Sequence, residues 1–270
     1  MRSAITICLV PQARQGPFVF HNGLEDGCAK AAAFGFDAVE IFPLAADLID
    51  RAQLKALLAQ HKLAVAAFGT GGGMLVHQWS LSSPKAETRA QAREFIRSII
   101  ELAAAFGAPA ILGSMQGKIE PSMDRQQALA WLAQGLEELS EHAARFGQPL
   151  LFEALNRYES NFFNRQADAA AFVKTLKTKN AKLLCDLYHM NIEEQNLSET
   201  IKEVGSLIGH VHFADSNRHA MGFGHTDMKP IYAALKSVGF QGYLSAEVLP
   251  LPDSDSAAKQ TIAAFKALEG

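Results

Sequence analysis

Eight short apolar runs recur along the chain, each followed by a longer segment whose apolar residues fall at helical spacing, and this alternation restricts the fold more than any other feature. The runs are AITICLV from Ala4, AVEIF from Ala38, LAVAAFG from Leu63, AILGSM from Ala110, PLLFEAL from Pro149, AKLLCDLYH from Ala181, GHVHFAD from Gly209 and GYLSAEV from Gly242. Long helical stretches start at Ala86 and Gln126, each closing on a glycine (Gly107, Gly147) that reads as a C-cap. Others start near Gly23, Asp50, Gln166, Leu197, Lys229 and Ser254. Eight strands alternating with eight helices, with no linker between halves, predict one closed parallel (β/α)8 barrel over residues 1–270. A doubly wound open sheet would call for a glycine-rich phosphate loop after an early strand. The GTGGG run at Gly69–Gly73 has neither that spacing nor a following Lys-Ser/Thr, and reads as a flexible loop.

The 270 residues, 49% hydrophobic and 20% charged, are enough for a large core. With 25 Lys+Arg against 28 Asp+Glu the net charge is -3, which offers no electrostatic footprint for nucleic acid or an anionic membrane. Cys8, Cys28 and Cys185 are far apart and form no zinc or redox spacing. The start MRSAITICLVPQ has too short an apolar stretch for a signal core, and no window approaches the ~18 apolar residues of a membrane span. A cytoplasmic location is expected.

Strands of a parallel sheet are covered on both faces, so a charged side chain within one requires a reason. Glu153, Asp186, His212 and Glu247 fall on strands five to eight, all toward the C-terminal ends where barrel enzymes place their active sites. Residues two apart share a face, which groups Glu153 with Leu151 and Leu155, Asp186 with Leu184 and Tyr188, His212 with His210 and Ala214, and Glu247 with Ser245 and Tyr243. Each set can point inward, so three carboxylates and an imidazole converge near the axis. Three anions at such distances need a cation, and an oxygen-rich site with one histidine suits one divalent metal: manganese, magnesium or cobalt, with zinc as a further candidate. Glu40, on strand two, lacks such neighbours and reads as a paired interior or supporting carboxylate.

These residues sit in longer phrases: EALNRYE from Glu153, CDLYHMNIEE from Cys185, HVHFADSNR from His210, GFGHTD from Gly222 and SAEVLPLP from Ser245. On them the chain resembles the xylose isomerase-like TIM-barrel superfamily of sugar isomerases and epimerases. Within it the chain resembles the D-tagatose and D-psicose 3-epimerase group, and most of all the 5-keto-L-gluconate epimerase type, which has similar NRYE, HMNIEE and ADSNR phrases. The likeness is strong from about Leu150 to Pro252 and weak in the first third. It implies that Glu153, Asp186, His212 and Glu247 bind one divalent metal, manganese first among candidates, and that Glu159, His189 and Arg218 contact substrate. A homodimer or homotetramer is also implied.

Inverting a carbon beside a ketone requires removing a weakly acidic proton and returning one to the opposite face, so two acid/base groups are needed. Glu153 and Glu247, on the first and last strands of the four-strand arc, are expected to take these roles through a cis-enediolate, with a metal polarising the carbonyl. The substrate is then a small ketose or keto-sugar acid. Lys118, in the segment after strand four, is a candidate partner for a substrate carboxylate, and Met74, His77 and Trp79 are candidates for a pocket wall or a packed lid. An aldose-ketose isomerase of the hydroxypyruvate isomerase type is the nearest alternative chemistry. A metal-dependent DNA repair nuclease would call for further ligands and a basic face. A non-catalytic sugar-binding module would have no use for two glutamates across a metal.

Overall fold

The computed structural model describes residues 1–269. Its strands are β1 (Arg2–Cys8), β2 (Ala38–Phe42), β3 (Ala64–Gly69), β4 (Ala110–Leu112), β5 (Leu150–Glu153), β6 (Ala181–Asp186), β7 (Ile208–His212) and β8 (Tyr243–Ala246). The helices between and after them are α1 (Leu24–Phe34), α2 (Arg51–His61), α3 (Gly72–His77), α4 (Ala86–Ala104), α5 (Arg125–Ala144), α6 (Gln166–Thr175), α7 (Leu187–Glu193), α8 (Leu197–Val204), α9 (Met228–Ser237) and α10 (Ser254–Glu269). All strand pairings are parallel, in the order β1 to β8, and the ring closes by pairing β1 with β8 from Arg2↔Tyr243 to Ile5↔Ala246. The expected (β/α)8 barrel is therefore the observed fold.

Alternation along each strand sorts the core into two parts. Outward residues such as Val39, Ile41, Phe68, Leu112, Phe152 and Val211 pack under the helices in the main apolar cluster. Inside the barrel, Ala67, Ile111, Leu151 and Leu184 form a separate cluster. Leu151 and Leu184 lie two residues before Glu153 and Asp186, so the apolar layer forms a floor directly below the polar residues. The helices carry the expected punctuation: Asp50 and Asp124 cap α2 and α5 through their side chains. Gly107 and Gly147, both at positive φ, terminate the turns after α4 and α5.

Several expected boundaries shift. β4 stops at Leu112 instead of reaching Met115, because a short 3-10 turn at Ser114–Gln116 takes over. β6 stops at Asp186, whose side chain accepts from the Tyr188 amide and starts α7. Tyr188 thus leaves the strand and does not share a strand face with Asp186. The GTGGG run is not a flexible loop: Gly69 closes β3 and Gly72 opens α3, with a Cβ at Gly72 or Gly73 meeting neighbouring backbone or the Met115 side chain. No helix among the described residues is long and apolar enough to cross a membrane.

Candidate active site and metal centre

The C-terminal ends of β5 to β8 bring four polar residues to one level. Glu153 closes β5, Asp186 closes β6, His212 closes β7, and Glu247 follows β8 by one residue. Asp186 pairs with His212 in the β6–β7 register, and His212 pairs with Ser245 across β7–β8. One donor atom from each of Glu153, Asp186, His212 and Glu247 lies within 4.8 Å of the others. His212 Nδ1 is the hub, 3.2 Å from Asp186 Oδ2, 3.4 Å from Glu247 Oε2 and 3.5 Å from Glu153 Oε1. Its other nitrogen faces Glu40 Oε1 at 3.2 Å. Glu40 is buried and paired, as its isolated place on β2 suggested.

The charges here do not balance within the protein. Arg218 donates to Glu247 and approaches Asp186 Oδ2 at 3.3 Å, leaving Glu153 without a comparable partner. Glu153 Oε1 is buried and makes no hydrogen bond. Burial raises the Asp186 pKa, but Arg218, His189 and His212 outweigh it and hold the carboxyl well below the usual range. Burial lowers the His212 pKa, yet Glu247, Glu40, Asp186 and Glu153 drive it well above an ordinary imidazole. Glu247 moves the other way, up to about 8: burial and the charges of Glu153 and Asp186 outweigh attraction to His212 and Arg218. Burial lowers the Arg218 pKa, but Asp186 and then Glu247 outweigh it and raise the guanidinium above its ordinary value. The two shifts are compatible because several carboxylates compete for one arginine. A largely buried set of three carboxylates and one imidazole nitrogen, with one carboxylate oxygen that makes no hydrogen bond, fits a divalent cation.

The expected substrate contacts surround this centre. His189, on α7, has Nε2 at 3.7 Å from Glu153 Oε1 and 3.6 Å from Asp186 Oδ2. Its Nδ1 meets the Asn156 amide nitrogen at 2.7 Å, and the same nitrogen donates to Glu159 Oε1 at 3.0 Å. Asn156 Oδ1 accepts from the Tyr158 amide, which fixes the side-chain orientation and leaves His189 Nδ1 as the acceptor. Arg218 sits at φ 61, a left-handed backbone unusual for a residue with a side chain, and its guanidinium lies 4.7 Å from the Tyr188 ring centroid. Its loop closes around Asp215, which accepts from the amides of Ser216, Gly222, Gly224 and Thr226 at 2.7 to 2.9 Å.

A cavity of about 370 Å³ opens above the centre, and Glu159, His189 and Arg218 all line it. Its far wall includes Phe18, Phe42, Met74 and Leu75, with Gln12 and Ser114 as polar groups. Lys118 does not reach it: its Nζ donates to the Tyr158 carbonyl at 3.1 Å. A substrate carboxylate thus finds no lysine there among the described residues. His77 and Trp79 also turn away, stacking on each other at 4.2 Å with Trp79 edge-on to Phe95, so only Met74 of that trio lines the cavity. Asn156, His210 and Asp215 were not singled out by sequence reasoning, although each lies within a quoted phrase.

A family model described as the xylose isomerase-like TIM barrel matches residues 28–268. The chain is 30% identical over 229 residues to L-ribulose 3-epimerase of Methylomonas sp. (strain DH-1), covering 83% of this chain and 78% of that protein. It is 32% identical over 171 residues to 3-dehydro-D-guloside 4-epimerase of Escherichia coli (strain K12), covering 60% of this chain and 64% of that one. The crystal structure of D-allulose 3-epimerase from Methylomonas sp. superposes with a TM-score of 0.82 at 24% identity, covering 99% of both chains.

Proposed function

The chain belongs to the xylose isomerase-like TIM-barrel family, and from that membership we propose that it is an epimerase of a ketose or keto-sugar, inverting the carbon beside the ketone. The names of the two sequence relatives support this reading: one is a 3-epimerase of a ketose and the other a 4-epimerase of a 3-dehydro sugar, and in both the inverted carbon adjoins the carbonyl. The observation that carries the mechanism is the meeting of Glu153, Asp186, His212 and Glu247 within 4.8 Å, with Glu153 Oε1 unpaired.

Glu153, Asp186, His212 through Nδ1, and Glu247 would hold one divalent cation, with manganese the first candidate. When bound, the cation supplies Lewis-acid polarisation of the ketone and offsets the charge of the enediolate. One of Glu153 and Glu247 removes the proton next to the ketone, and the other, protonated, returns one to the opposite face, with roles reversed for the reverse reaction. Arg218 and His189 Nε2 donate to the developing oxyanion. Glu159, oriented by Asn156, accepts from a substrate hydroxyl. Among the described residues the mostly apolar far wall carries no cation for a distant carboxylate, which favours a neutral ketose over a keto-sugar acid. A homodimer or homotetramer is part of this reading.

The test is turnover of manganese-loaded protein with a panel of ketoses and keto-sugar acids in deuterated water. Deuterium at the inverted carbon of an epimer is expected. An aldose product, with label on the neighbouring carbon, would replace this reading with the aldose-ketose isomerase alternative, and absence of exchange with every sugar would end both.

A further inference from the structure

Beside the candidate metal centre, Glu40 and His210 form a buried hydrogen-bonded chain with the candidate ligand His212, and the epimerisation chemistry uses neither Glu40 nor His210. Glu40 reaches from β2 toward β7, a strand that is not its neighbour in the barrel. There its Oε2 meets His210 Nε2 at 2.7 Å and its Oε1 meets His212 Nε2 at 3.2 Å. Glu40, His210 and His212 are 4%, 1% and 1% exposed, so little water reaches these bonds, although Glu40 and His212 border the cavity. The two imidazoles stand nearly perpendicular, at 87°, and hold the carboxylate from two directions. The β2–β3 pairing shifts register between Val39 and Glu40, an irregularity of the kind that re-aims a side chain.

A neutral imidazole has one N–H and one lone pair, and the partner of one nitrogen decides what the other can do. Glu40 has only acceptors to offer while ionised, so both facing nitrogens must carry hydrogen. For His212 that places the proton on Nε2 and leaves Nδ1, the nitrogen among the three carboxylates, free to bind a metal. His210 occupies the second oxygen of Glu40 and keeps that carboxylate from turning away.

We propose that Glu40 and His210 are positioning residues that fix the ring and tautomer of His212, and so set the affinity of the centre for its divalent cation. This rests on the metal reading above. Carboxylates behind metal-binding histidines raise ligand basicity, and their loss costs roughly 10- to 100-fold in metal affinity. Glu40→Gln keeps the shape but replaces one acceptor with an amide donor facing an imidazole N–H. His210→Asn frees the second oxygen of Glu40 without touching His212 directly.

The experiment is calorimetric titration of metal-free wild type, E40Q and H210N with Mn²⁺, alongside proton spectra of the downfield imidazole N–H resonances in the metal-free proteins. The expected result is one Mn²⁺ per wild-type chain, affinity lower by roughly 10- to 100-fold in E40Q and by less in H210N, and loss or displacement of the carboxylate-bonded N–H signals in E40Q. Should E40Q fail to fold, H210N carries the same comparison. Wild-type affinity retained by the folded variants would overturn the proposal while leaving the metal reading intact. Two Mn²⁺ per chain, with the second lost in E40Q, would make the Glu40 cluster a metal site instead and also overturn it. A wild type that binds no Mn²⁺ overturns both readings.

Discussion

Gly113 leaves open the space that the Glu153 carboxylate occupies: a Cβ on Gly113 would overlap Glu153 Oε2. The backbone after β4 thus shapes the position of a side chain on β5. Gly113→Ala should push the carboxylate out of the cluster at a stability cost of about 1–3 kcal/mol, the usual range for one extra buried methyl. Displacement by about 1 Å is enough to lower turnover on the order of 100-fold. Steady-state kinetics with a thermal melt tests this, and wild-type turnover in a folded variant would refute it.

Metal uptake should depend on pH with a definite sign. In the metal-free protein the His212 pKa stands well above an ordinary imidazole, and Glu247 is raised to about 8 by burial and by its acidic neighbours. A cation held through His212 Nδ1 and Glu247 displaces protons from both. Affinity for Mn²⁺ is therefore expected to increase as pH rises toward 8, with net proton release on binding. Calorimetry in buffers of different ionisation enthalpy measures that release, and a pH-independent affinity without proton release would contradict this protonation scheme.

Asp215 should act on Arg218 through the loop they share. Four backbone amides close on its carboxylate, and Arg218 holds a left-handed conformation within the enclosed segment. Asp215→Ala leaves four part-buried amide donors without their partner, at up to about 1–3 kcal/mol each where water does not replace it. A lower melting temperature and a raised KM are expected together. Burial raises the Asp215 pKa, but the backbone donors of Thr226, Ser216 and Gly224 outweigh it and depress it below the ordinary carboxylate value. Its contribution to stability is thus present above the unfolded pKa and lost as pH falls through the folded one. Wild-type melting behaviour and an unchanged KM would reject this role.

The barrel and its four central residues are legible in the chain because each leaves a local mark. Apolar runs repeat with strand spacing, and a charge within such a run stands out. Glu40 also leaves that mark, but the pairing that explains it joins strands far apart in sequence. Asn156, Gly113 and Asp215 leave none, since their importance lies in contacts to His189, Glu153 and the Arg218 loop. The short helix α7 was hidden for a related reason. Leu187, Tyr188 and His189 extend the apolar run as a strand would, and only the side chain of Asp186, folding back onto the Tyr188 amide, turns the chain into a helix. Lys118 shows the opposite failure: a cation in a loop near the active face suggests a carboxylate partner, while in three dimensions a backbone carbonyl takes it.

That placement makes a selectivity prediction. Lys118→Ala should leave the ratio of kcat/KM for a keto-sugar acid to that for a neutral ketose within about 2-fold of wild type, since loss of an exposed hydrogen bond has only a small effect. Replacing Gln12 or Ser114, which line the far wall, should change turnover of the neutral sugar. A selective loss of activity toward the acid in K118A would restore lysine to the substrate site.

The last prediction separates chemistry from scaffolding at the two glutamates. Glu153→Gln and Glu247→Gln preserve side-chain shape but remove the acid/base function, and at Glu153 the substitution also alters a carboxylate whose Oε1 makes no hydrogen bond within the protein. General acid or base catalysis contributes about 10²- to 10⁴-fold, so each variant should lose turnover on that scale while keeping its secondary structure and melting transition. Because either glutamine also weakens the metal site, each variant is assayed at saturating Mn²⁺, with bound metal measured directly. Two groups on opposite faces predict a further asymmetry. The variant lacking the base for one epimer should lose deuterium exchange from that epimer, whereas the variant lacking the acid should still exchange it without inversion. Normal epimerisation by either metal-loaded variant, or identical exchange patterns in the two, would show that Glu153 and Glu247 are not the proton-transfer pair.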